Sequence, residues 1–151
     1  MIRAPVSLAR MAGVLFALTG SALAQHPPAG ECAQPRFTGK APDDFYSRSN
    51  PLMATPEQIA AGRRLYEKEA SPPGQVRHGV KGDGKGPLAT QFDPRPRNFA
   101  CAQTVNGIPD GQLFWIIRNG SADSSMPAFK GPSDRQIRRI VLYLRTLAKP
   151  N

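Results

Sequence analysis

Residues 62–87 read Gly62-Arg63-Arg64-Leu65-Tyr66-Glu67-Lys68-Glu69-Ala70-Ser71-Pro72-Pro73-Gly74-Gln75-Val76-Arg77-His78-Gly79-Val80-Lys81-Gly82-Asp83-Gly84-Lys85-Gly86-Pro87. The first nine of these continue a helical pattern, and the rest abandon it. Upstream, Thr55-Pro56-Glu57-Gln58 supplies an N-cap, a proline at the first helical position and a capping-box glutamine. Ile59, Gly62, Leu65 and Tyr66 then share one face, and the helix is expected to end near Ala70, before Pro72-Pro73. From Ser71 to about Asn98 the sequence predicts a long Gly/Pro-rich loop. Loops of that length without regular structure are functional or disordered. This one carries His78, one of only 2 histidines in the chain.

Further along, the spacing predicts a second helix over 110–118, capped by Asp110 and ended by Gly120. A second loop, 120–132, contains Met126-Pro127. The last helix starts at Ser133, where Ser133 and Gln136 form a capping box. Ile137, Ile140, Val141, Leu144 and Leu147 make its apolar stripe, and it ends before Pro150. No strand pattern or internal repeat is visible. The expected fold is all-α: a small helical domain with long Gly/Pro-rich loops. Its helices supply a thin core, which suggests loops wrapped around a ligand. The 16 prolines and 14 glycines exclude a long coiled coil. The 2 cysteines exclude a disulfide-dense scaffold and a four-cysteine zinc site.

Residues 1–24 read as a signal peptide. Arg3 and Arg10 form the basic region, Met11 to Leu18 is apolar, and Ala22-Leu23-Ala24 is the cleavage signal. The apolar run is too short for a bilayer of ~30 Å. Residues 25–54 read as an irregular N-terminal extension and 55–149 as the domain. Cleavage after Ala24 removes Arg3 and Arg10 and lowers the formal charge from +9 to +7. Export argues against nucleic acid, and the charge suits acidic protein surfaces as well as plain solubility. No stable membrane insertion is expected after cleavage. An oxidising compartment makes a Cys32–Cys101 disulfide the simplest expectation, the alternative being two unpaired or ligand-bearing thiols.

The ordered pieces resemble a class I c-type cytochrome from about Thr55 to Leu147. They are Gly62-Arg63-Arg64-Leu65-Tyr66; His78-Gly79-x-x-Gly82-Asp83-Gly84-Lys85-Gly86-Pro87; Pro94-x-Pro96-Arg97-x-Phe99; Asp110-Gly111-x-Leu113-Phe114-Trp115-x-Ile117-Arg118-x-Gly120; Met126-Pro127-x-Phe129; and Tyr143-Leu144-Arg145. The resemblance implies a heme cradle with His78 and Met126 as axial iron ligands. Imidazole and thioether both suit heme iron, and the pair raises its reduction potential. The family's C-x-x-C-H signature is absent. Its thiol positions are Gly74 and Arg77 here, and about four residues are inserted after Tyr66. Thioether attachment at this site is therefore chemically impossible.

Three readings follow. The chain binds heme non-covalently through His78 and Met126 and transfers electrons in a periplasm, meeting a redox partner with an acidic surface. Alternatively it is a heme-free binding or assembly module, whose inserted Pro-Pro-Gly segment fills the vacated space. Or His78 and Met126 hold copper. Gly79-x-x-x-x-Gly84-Lys85 resembles a phosphate loop, but Gly86 stands where Ser or Thr is required and no strand precedes it. No nucleophile or acid–base set is evident, so an enzyme is not expected.

Overall fold

The computed structural model describes residues 1, 32, 34, 38–122 and 124–148. The segment read as a signal peptide lies outside the described residues, apart from Met1. Helices are the only regular elements there: α1 (Asp43–Tyr46), α2 (Pro56–Arg64), α3 (Gln75–His78), α4 (Ala102–Val105), α5 (Asp110–Asn119) and α6 (Asp134–Leu147). A π-helical turn, Leu65–Glu69, extends α2, and a 3₁₀ turn spans Ala89–Gln91.

The helix starts follow the sequence. Thr55 caps α2 by accepting from the Gln58 N–H. Ser133 and Gln136 form both halves of the capping box on α6. The long α2 reading resolves into α2 and the π turn, which stops at Ala70 in extended conformation. α6 is the spine of the core. Ile137, Val141 and Leu144 are almost wholly buried on it, beside Val105 from α4. It crosses α2 at Gly62, where an added Cβ would stand 2.0 Å from the Arg139 carbonyl oxygen. Only glycine permits that approach. Leu113, Phe114 and Ile117 of α5 complete the cluster with Leu65 and Tyr66.

Three expectations are corrected. Asp110 does not cap α5; it is the first helical residue, and Pro109 holds the cap position. Its carboxylate instead accepts from the Arg145 guanidinium at 2.7 Å and from the Asn50 N–H at 3.3 Å. The loop from 71 to 98 is not free of regular structure, since α3 and the 3₁₀ turn lie within it. The stretch read as irregular before residue 55 includes α1, which packs on α5. Phe45 stacks on Phe114 at 6.3 Å and meets Trp115 at 5.0 Å. Gly111 allows this contact, because a Cβ there would overlap the Phe45 carbonyl oxygen.

Cys32 and Cys101 form a disulfide. The chain beside it is fixed by two buried glutamines. Gln34 accepts the Asn98 N–H at 2.7 Å. Gln112 accepts the Ala41 N–H at 2.7 Å and donates to the Gly39 carbonyl at 2.8 Å. This strap lies along α4 and α5 and brings Thr38 to the edge of a cleft.

Candidate cofactor cleft

α3 exists to aim one side chain. Its four residues end at Gly79, whose φ of +79° breaks the helix immediately after His78. The glycine run behind it then folds back onto α3. The Gly84 N–H donates to the His78 carbonyl at 2.8 Å, and the Gly86 N–H donates to the Arg77 carbonyl at 3.1 Å. Tyr66 donates its hydroxyl to the Gly79 carbonyl at 2.7 Å. Gly84 is itself in the left-handed region, and a Cβ on it would strike the Pro96 carbonyl oxygen at 2.7 Å. The Gly-rich stretch that reads as loose is therefore a clamp around the histidine.

His78 is buried, with its ring against Phe99 at 4.5 Å between centroids. Its Nδ1 lies 3.0 Å from the Arg97 carbonyl oxygen. A carbonyl can only accept, so Nδ1 carries a proton. This is the arrangement by which proteins orient a metal-binding imidazole.

Met126 comes from the other loop. The Ser121 N–H donates to the Met126 carbonyl at 3.0 Å, and Ser124 Oγ accepts the Met126 N–H at 3.3 Å. Gly120 makes this turn possible. Its φ is +80°, and a Cβ would meet the Met126 carbonyl oxygen at 2.7 Å. Ser125 bonds to the Asp93 carbonyl and ties this loop to the first one.

The two predicted residues line the same cleft. It has two lobes that share much of their lining and are partly open to solvent. Arg77, His78, Phe99, Ile117, Met126 and Leu144 line both lobes. The walls are mostly apolar, and neither lobe is lined by an Asp or a Glu. Gly74 of the inserted Pro-Pro-Gly segment lines the smaller lobe. It lies against Tyr66, where an added Cβ would stand 2.6 Å from the ring.

Two polar atoms in the cleft wall are buried without a hydrogen-bond partner, Arg77 Nε and Ser121 Oγ. Burial lowers the Arg77 pKa from its ordinary value. Its guanidinium lies 5.5 Å from the centre of the Phe92 ring. Sequence reasoning missed Arg77 and Ser121, although Arg77 stands at the second thiol position. Among the described residues, no three His, Cys, Asp or Glu side chains converge on a common point.

Over 66% of its length the chain superposes on a chain of the reducing HAO-like protein complex of Kuenenia stuttgartiensis, with a TM-score of 0.57 and 27% identity. It covers 47% of that chain, so it spans about half its length. The c-type cytochrome SorU from Sinorhizobium meliloti matches at a TM-score of 0.45 and 17% identity, over 62% of this chain and 94% of that one. No family model matches the chain, and no curated protein matches it significantly. Among the described residues the fold is all-α and similar to that of the Kuenenia chain. Trp115 is half-buried and packs against Phe45 of α1. No described helix is long and apolar enough to cross a membrane.

Proposed function

We propose that this chain is an electron carrier that holds heme without covalent attachment, with His78 and Met126 as axial ligands. The observation that carries this reading is the cleft itself: a mostly apolar, two-lobed space with His78 and Met126, from different loops, lining both lobes. A heme iron bound there supplies one-electron redox chemistry. The protein's part is to present the ligands and exclude water. The Nδ1–H bond to the Arg97 carbonyl fixes the orientation of the His78 ring. The Gly120 turn and the Ser121 and Ser124 bonds set Met126.

A two-residue donor set favours heme over bare copper. A porphyrin brings four nitrogens and asks the protein for two ligands, whereas a copper site needs more donors from the chain. The exposed Lys81 and Lys85 on the clamp beside His78, with the net positive charge, fit an acidic protein partner. The Kuenenia neighbour belongs to a protein complex, which supports a protein partner. We place the chain in a periplasm, exported by residues 1–24, as a carrier with no catalytic step of its own.

The test is the ferric spectrum after hemin loading. Wild type should show the methionine-to-iron charge-transfer band in the far red. Met126→Ala should lose that band and keep the Soret band, while His78→Ala should lose most hemin binding. A far-red band that survives Met126→Ala would assign the sixth ligand elsewhere. Unchanged melting on adding hemin would favour the heme-free module, because a ligand of the native state must stabilise it. Copper affinity that falls in His78→Ala, with no Soret band, would favour copper.

A further inference from the structure

We propose that Arg77 makes the cleft selective for a carboxylate-bearing ligand, so that the carboxylate edge of a bound porphyrin, and not its vinyl edge, faces residue 77. The orientation rests on the heme reading above; the anion preference rests on the cleft alone. Arg77 lines both lobes, and its Nε is buried with no hydrogen-bond partner. Among the described residues no carboxylate pairs with it, and the cleft walls carry no acid. Its guanidinium lies over the face of Phe92, 5.5 Å from the ring centre. A guanidinium half-withdrawn from water without a counter-ion is costly, and that cost is recovered when an anion arrives. Ser121 Oγ, also buried and unsatisfied, gives the larger lobe a second polar group.

Position gives the proposal its content. In the resembled family the residue immediately before the histidine is a cysteine bonded to a vinyl group. Here a cation stands at that place. Arginine cannot form that thioether, but it matches the planar geometry of a carboxylate with paired N–H donors. A flat apolar body with carboxylates at one edge would put that edge beside Arg77 and its apolar edge among Phe129 and Ile140 in the smaller lobe.

Iron-free protoporphyrin IX and its dimethyl ester separate the carboxylate from the iron. Each is titrated into the mature chain and into Arg77→Gln and Arg77→Lys, following porphyrin fluorescence, with circular dichroism to check folding. Wild type should bind the diacid about tenfold more tightly than the diester, the scale of one charge-assisted bond. Arg77→Gln should erase most of that gap, and Arg77→Lys should keep part of it. Equal binding of diacid and diester by wild type overturns the proposal without recourse to any variant. So does an undiminished gap in folded Arg77→Gln. A gap that depends on Arg77, in a chain that gives no Soret band with hemin, upholds the anion site and removes the heme reading. A Soret band without the gap does the reverse.

Discussion

A methyl group at residue 74 would have nowhere to go, since the Tyr66 ring fills the space 2.6 Å away. Tyr66 cannot swing aside cheaply, because it is buried and bonded to the Gly79 carbonyl. Gly74→Ala should therefore cost about 1–3 kcal/mol by overpacking, read as a fall in the urea midpoint. An unchanged midpoint would mean the ring yields freely. The same contact means that Gly74→Cys with Arg77→Cys would restore the sequence of a thioether motif without restoring its geometry. Tyr66 also sets an alkaline limit. Burial raises its pKa above the ordinary value of about 10, and burial raises that of Tyr143 too. Above pH ~10 the unfolded chain loses these protons before the native one does, so stability should fall as pH rises there. Urea midpoints across that range should drop less steeply in Tyr66→Phe than in wild type. Among single residues, His78 and Met126 were legible because ordered neighbours surrounded each in the sequence. Arg77 was not legible as a cleft residue. A lone arginine in a Gly/Pro loop has the signature of a surface side chain, and only the fold shows what it faces.

Helix ends that depend on neighbours within four residues were readable, and those held from afar were not. Thr55 and Ser133 cap α2 and α6 as their local sequence requires. Asp110 looked like a third cap, yet its partners are Asn50 and Arg145, which no local pattern links to it. Arg145 joins α6 to the start of α5 and also donates to the Val105 and Ile108 carbonyls. Arg145→Ala should destabilise the fold by about 2 kcal/mol, because it leaves a half-buried carboxylate and two carbonyls unserved. A denaturation midpoint within error of wild type would reduce this cluster to a surface ion pair. The Met loop has its own control point. Gly120→Ala adds strain at φ +80° and a contact with the Met126 carbonyl. It should loosen hemin binding more than it lowers melting of the hemin-free chain. The reverse order would show that the turn serves the fold rather than the ligand.

Across the whole molecule, three main helices and two long loops were visible in the spacing of apolar residues and of Gly and Pro. The strap was not, because its hold depends on Gln34 and Gln112 bonding backbone groups about 60 to 70 positions away. The Cys32–Cys101 bond secures that strap across a sequence separation of 69. Reduction should remove about 4 kcal/mol of stability in the chain-entropy account, measured as the shift in thermal midpoint with and without dithiothreitol. The cleft lies between these parts, and its occupant decides the function. Titrating the mature chain with hemin while recording the visible spectrum is the most direct test. Non-covalent heme binding predicts a Soret band that saturates at one hemin per chain and is lost on extraction into acidified organic solvent. A Soret band neither shifted nor sharpened from that of free hemin at stoichiometric hemin would contradict it.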